Sequence, residues 1–278
     1  MNALSWKNSE GMQIHAAEWP VENPRAVIAL VHGQSEHIGR YRHLAEWFNA
    51  HGVALVGFDQ QGYGKSDGKR GHVRSLEVLL DDIGQLLEET ENRYRGIPLF
   101  LYGHSMGGNL ALNFALRRAP ALSGIIATGP WIRLAFPAPG LKILAAKVLK
   151  KITPALTLPT GLAAHFLSRD EKVVKAYQDD PLVHGQLSVI AGLELLEGAS
   201  WLDRFSGTVE SPLLLMHGGG DKITSAEATK AFSDRVSGEV THREWDDLYH
   251  EIHNEAEQDQ VFEYILSWMD HILAGRPA

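Results

Sequence analysis

The chain has 278 residues, 44% hydrophobic and 22% charged, proportions that exclude disordered, fibrous and membrane-spanning classes and suit one large α/β domain with a full core. Its formal charge of -8 supplies no basic surplus to neutralise phosphates, which argues against nucleic acid as a partner. The absence of cysteine excludes disulfides, thiolate chemistry and Cys-based metal sites. Residues 1–18 carry neither a basic n-region nor an apolar h-region, and no run approaches the roughly 18 apolar residues of a spanning helix. The expectation is a cytoplasmic protein.

Leu4–Lys7 and Met12–Trp19 open the chain as an antiparallel edge pair. Ala26–Val31, Ala54–Phe58, Leu99–Tyr102, Ile125–Thr128 and Leu213–Met216 are short, continuously apolar runs, the pattern of parallel strands buried on both faces. Helical periodicity separates them over Tyr41–Asn49, Ser75–Tyr94 and Asn109–Arg117, so the fold class is α/β, with a mostly parallel central sheet and helices on both faces. The alternation breaks from Trp131 to Phe205. That stretch reads as an inserted helical cap at 131–205, leaving 1–130 and 206–278 as the core. Within it, LAFPAPGLKILAAKVLKKITPALTLP (134–159) joins an apolar face to Lys142, Lys147, Lys150 and Lys151. Such a segment either packs on the core with solvated lysines or rests on a lipid surface.

Directly after the run Leu99–Tyr102 comes Gly103-His104-Ser105-Met106-Gly107-Gly108, followed by a helix pattern. GxSxG between strand and helix is a nucleophile elbow: glycines leave space around a strained turn that exposes the serine hydroxyl. The amide of Met106, at the N-terminal end of the helix, is one candidate oxyanion donor; that of Gln34, in His32-Gly33-Gln34 after an earlier strand, is the other. Serine needs a base and an orienting carboxylate. Asp221, in the glycine-rich turn HGGGD after a buried strand, is the best acid, ahead of Asp203, Asp234, Asp246 and Asp247. Among 14 histidines, His250 and His253 both lie on the loop before the last helix, and spacing alone leaves both open as the base. HExxH, a phosphate loop and a dinucleotide fingerprint do not occur, so no metal or cofactor is expected and water is the second substrate.

HGQSEHIGRY (32–41), DQQGYGKSDGKRGHV (59–73), GHSMGG (103–108), HGGGDKIT (217–224) and YHEIHNE (249–255) occur in this order, and together they resemble the monoacylglycerol lipase and lysophospholipase group of the α/β-hydrolase superfamily over nearly the whole chain. The resemblance implies an α/β-hydrolase fold with a cap after the strand ending near Thr128, and it makes the first histidine of YHxxH, His250, the base. It implies a structural role for Asp59, Gly62 and Gly64. It further implies that Glu36, Arg40 and His253 line the polar end of the pocket where glycerol leaves; the other reading is an ion pair between Glu36 and Arg40, four residues apart. Gln34 and Ser35 depart from the smaller residues common in the group. The expected activity is hydrolysis of monoacylglycerols through an acyl-enzyme, with lysophospholipids and then simple carboxylic esters as alternatives, peripheral membrane contact through the cap, and no inference about oligomeric state. A ligand-binding protein on a hydrolase scaffold is the reading from another class.

Overall fold

The computed structural model describes residues 1–136 and 140–275. Strands β1 (Asn2–Lys7) and β2 (Gln13–Trp19) lead into β3 (Ala26–Val31), α1 (Arg42–Ala50), β4 (Val53–Phe58), α2 (Leu76–Arg93), β5 (Leu99–His104), α3 (Met106–Arg118) and β6 (Gly124–Thr128). The next stretch carries α4 (Gly140–Ile152), β7 (Thr157–Pro159), α5 (Glu171–Asp179), β8 (Gln186–Ser188) and α6 (Val189–Leu202). The chain ends with β9 (Thr208–Gly218), α7 (Ala226–Arg235), β10 (Ser237–Trp245) and α8 (Gln258–Ala274). The main sheet runs β1-β2-β4-β3-β5-β6-β9-β10, with β1–β2 and β2–β4 antiparallel and every other pair parallel.

Every residue of β3, β4 and β6 is buried, which a sheet achieves only when both faces are covered. Alternate side chains of β3 serve the two layers, as the two-residue period of a strand requires. Val27 and Ala29 belong to the buried cluster that takes in Ile83 and Leu86 of α2, Leu110 of α3 and Phe232 of α7. Ile28 and Leu30 belong to the cluster on the other face, with Phe48 of α1 and Phe262 and Trp268 of α8. Helix α2 begins where expected because the Ser75 hydroxyl accepts from the amide of Val78.

Several elements differ from the sequence reading; β9, for one, extends well beyond Leu213–Met216 at both ends. Helix α3 starts at Met106 rather than Asn109, because Gly107 and Gly108 form its closely packed first turn. The stretch 131–205 is not purely helical: β7 and β8 pair as a small antiparallel sheet. Nor does it stand apart, since α6 places Ala191, Leu195, Ala199 and Leu202 in the same core cluster as α2 and α3. Residues 137–139 of the amphipathic segment lie outside the described residues. No helix among the described residues is long and apolar enough to cross a membrane.

One buried group opposes this packing. Asp82 of α2 is 1% exposed, and neither carboxylate oxygen has a hydrogen-bond partner among the described residues. Burial pushes it up to about 7 despite the nearby amide of Asn8. An unfolded aspartate ionises near 3.8. Stability that Asp82 does not oppose in acid is therefore lost progressively as pH rises through that interval. Asp82→Asn is expected to leave Tm near pH 4 almost unchanged and to raise it by a few degrees near pH 8, as read by differential scanning calorimetry.

Candidate active site

Strand β5 ends at His104 and α3 begins at Met106, so Ser105 makes the turn alone, at φ 53° and ψ -114°. A side-chain-bearing residue at positive φ is strained and persists only when its surroundings fix it. Here they do. A Cβ at Gly103 would lie 2.3 Å from the carbonyl oxygen of Gly107, and one at Gly107 would lie 2.1 Å from that of Val31, so only glycine lets α3 close onto the end of β3. The Ser105 amide donates to the carbonyl of Thr128, and the Trp131 amide donates to the carbonyl of Ser105, tying the turn to β6.

The structure brings Ser105, His250 and Asp221 into one hydrogen-bonded chain. His250 Nε2 lies 2.8 Å from Ser105 Oγ, and His250 Nδ1 lies 2.7 Å from Asp221 Oδ2. A carboxylate only accepts, so Nδ1 carries the proton, and the Nε2 lone pair faces the serine hydroxyl, which donates to it. Asp221 Oδ1 accepts from the amides of Ile223 (2.7 Å) and Thr224 (3.1 Å), and the Thr224 hydroxyl lies 2.8 Å from Oδ2. Burial pushes Asp221 up, but the charge of His250 and hydrogen bonds from His217 and His250 outweigh it and hold the carboxyl well below its ordinary range. Burial likewise pulls His250 down, yet the charge and hydrogen bond of Asp221 prevail and hold it above 6.5. The competing acids lie elsewhere: Asp203 pairs with Arg133, Asp234 pairs with Lys230, and Asp246 and Asp247 are exposed.

The loop after β3 closes against this chain. A Cβ at Gly33 would lie 3.3 Å from Ser105 Cβ, so the Gly33–Gln34 backbone passes beside the hydroxyl. Met106 is the first residue of α3, and a first-turn amide has no partner inside its helix. Glu36 anchors the loop: Oε1 accepts from the Gly33 amide (2.5 Å) and the Tyr41 hydroxyl (2.7 Å). Arg40 donates through Nη1 to Glu36 Oε2 (2.9 Å) and to Glu251 Oε1 (2.6 Å), and through Nη2 to Glu251 Oε2 (2.7 Å). Asp59 stays outside the site, accepting from the amides of Ile38 and Lys65.

A cavity of about 410 Å³ opens above Ser105. Its walls are mostly apolar, with Trp131, Leu134, Ile143, Leu158, Leu187 and Leu196 among them, while Ser105, His250, Glu36 and Glu251 bring polar groups to it. Of the three residues expected at the polar end, only Glu36 lines the cavity. Arg40 does not, because its guanidinium is consumed between two carboxylates and covered by the Tyr177 ring at 4.9 Å. His253 does not either. It is fully buried between the rings of Tyr41 (4.9 Å) and His104 (4.7 Å), and burial pulls it down to about 3. Glu251, His217 and Thr224 join the site as well; all three lie inside the quoted motifs, Glu251 next to His250 and the other two within four positions of Asp221.

A family model described as Serine aminopeptidase, S33 (Hydrolase_4) matches residues 22–257. The chain belongs to this family. Over 262 residues this member is 34% identical to the monoacylglycerol lipase of Mycolicibacterium smegmatis, covering 93% of each protein. It is 34% identical over 258 residues to phospholipase YtpA of Bacillus subtilis, covering 92% of this chain and 99% of that one. It also spans 27% of a longer abhydrolase domain-containing protein of Dictyostelium discoideum, at 38% identity. The crystal structure of Paleococcus ferrophilus monoacylglycerol lipase aligns with a TM-score of 0.85 at 32% identity, covering 93% of this chain and 99% of that one. The fold is the α/β-hydrolase fold.

An imidazole must be unprotonated to act as a base, and Asp221 holds His250 above 6.5. kcat/KM on a neutral ester is therefore expected to fall as pH drops, with an apparent pKa above 6.5. A pH profile checks this; an acid limb near 4 contradicts it.

Proposed function

We propose that this chain is a serine esterase that hydrolyses monoacylglycerols to fatty acid and glycerol. The observation that carries the reading is the Ser105–His250–Asp221 hydrogen-bonded chain opening into an apolar cavity with a carboxylate-lined polar end. Ser105 Oγ attacks the ester carbonyl as His250 Nε2 takes its proton. Asp221 holds the imidazole in the required tautomer and stabilises its charged form. Amides of Gln34 and Met106 receive the oxyanion. His250 then returns the proton to glycerol, which leaves. Water, deprotonated by the same nitrogen, attacks the acyl-enzyme and releases the fatty acid.

The polar end of the cavity suits the hydroxyls of an acylglycerol. Glu36 and Glu251 line it and share Arg40, and Lys222 lines it as well; burial pushes Glu36 above its ordinary range, while Arg40 holds Glu251 below its own. Glycerol hydroxyls meet carboxylate acceptors there. Residues 131–205 act as a cap in this reading, with Ile143 of α4 and Leu193 and Leu196 of α6 walling the cavity.

The cap also rests on lipid in this reading. Leu144, Val148 and Ile152 follow at intervals of four on α4 and are 61%, 55% and 75% exposed, so the apolar stripe faces outward. Lys147 and Lys151 are exposed beside it, Lys150 pairs with Glu194, and the side chain of Lys142 lies outside the described residues. This arrangement suits a helix lying in an interface better than one packed on the core.

Fatty-acid release from monoacylglycerol is expected to exceed release from lysophosphatidylcholine at least about tenfold in kcat/KM, a difference of about 1.4 kcal/mol. Equal or reversed rates reject the acylglycerol reading, and faster cleavage of an N-terminal proline amide moves the activity to an aminopeptidase. With substrate in vesicles, Leu144→Ser combined with Val148→Ser is expected to lower the rate while leaving hydrolysis of a dispersed short ester unchanged.

A further inference from the structure

Asp221 serves two histidines. Besides His250 Nδ1, its Oδ2 lies 3.0 Å from Nε2 of His217, the penultimate residue of β9 and fully buried. On the other side of that ring, Nδ1 lies 2.8 Å from the Thr229 hydroxyl of α7. The carboxylate has no proton to give, so Nε2 bears one toward Asp221, and with one proton on the ring Nδ1 accepts from Thr229. Thr224 Oγ1 stands between the imidazoles, 3.2 Å from His250 Nδ1 and 3.3 Å from His217 Nε2. Two rings and a hydroxyl thus gather at one oxygen, while two amides hold the other. The hydrolytic scheme gives His217 no task, and it does not line the cavity.

We propose that His217 is a positioning residue for the hydrolytic site: by donating its Nε2 proton to Asp221 Oδ2, it fixes the carboxylate and draws on the charge that would otherwise act on His250 alone. The inference rests on the reading of Ser105, His250 and Asp221 as the catalytic chain. A donor to a carboxylate spreads its negative charge, so the His250 imidazolium gains less from it. Removal of the donor leaves Asp221 to act on His250 undiluted. The base then holds its proton to higher pH.

The other groups facing this pair stay in place when His217 is replaced. His250 is faced by Asp221, by Glu251 beside it, by Glu36 from the loop after β3, by the His104 ring at 4.8 Å from the end of β5, and by His253. Arg40 braces both glutamates. His217 is faced by Asp221 and by His242 of β10.

The test compares His217→Leu, which removes the donor at similar volume, with His217→Gln, which keeps an N–H of similar reach. The acid limb of kcat/KM is expected to move up by about half a pH unit or more in the leucine variant, about a threefold loss on the limb, with KM little changed. The glutamine variant is expected to return the limb toward the wild type. A leucine limb coincident with the wild type overturns the proposal. Nitrogen-15 histidine NMR of the unaltered protein adds a measurement that needs no variant to fold: a proton on His217 Nε2 supports the proposal, and a proton on Nδ1 alone overturns it. Fluorophosphonate labelling separates the two levels. Unlabelled Ser105 in the wild type defeats the catalytic reading itself, whereas labelled Ser105 with an unmoved limb defeats only the role of His217.

Discussion

The site depends on one constraint, the positive-φ turn at Ser105 between β5 and α3. That turn aims a hydroxyl away from the sheet, and the close approach of α3 to the end of β3 keeps it there. Three strand ends then deliver the remaining groups. The loop after β3 brings the Gly33–Gln34 backbone, the turn after β9 brings Asp221, and the loop after β10 brings His250. Parallel strands make this convergence natural, because their C-terminal ends all open on one edge of the sheet.

Charge buried behind the site links these loops. Glu36 grips the amide of Gly33, Arg40 bridges Glu36 to Glu251, and Glu251 is the neighbour of His250. Removing one member of a buried ionic cluster leaves its partners unpaired, which costs more than the intact pair contributes. The cluster therefore suits a framework that fixes the separation of two loops. Its contact with the Tyr177 ring extends that framework to α5.

Much of this was legible in the chain. The apolar runs locate the strands because a strand buried on both faces has no polar side, and the glycines of GHSMGG mark a turn without room for side chains. Strand ends were less legible. Gly103 and His104 still ladder with β3 and β6, although no apolar pattern extends to them. Arg40 and His253 were misplaced for a different reason. Sequence gives their chemistry, which suits a polyol, but not that Glu251 captures the guanidinium from 211 positions away or that two rings enclose the imidazole. His217 was hidden similarly, since its partners come from the turn after its own strand and from α7.

In the proposed hydrolysis Ser105 carries the acyl group between two half-reactions, which rapid-quench intact-mass spectrometry with a chromogenic long-chain ester follows. The expected result is a burst of released alcohol stoichiometric with enzyme and a matching acyl mass increment that peptide mapping assigns to Ser105, with neither in Ser105→Ala. Steady ester turnover with no acyl increment, or an increment on another residue, contradicts it.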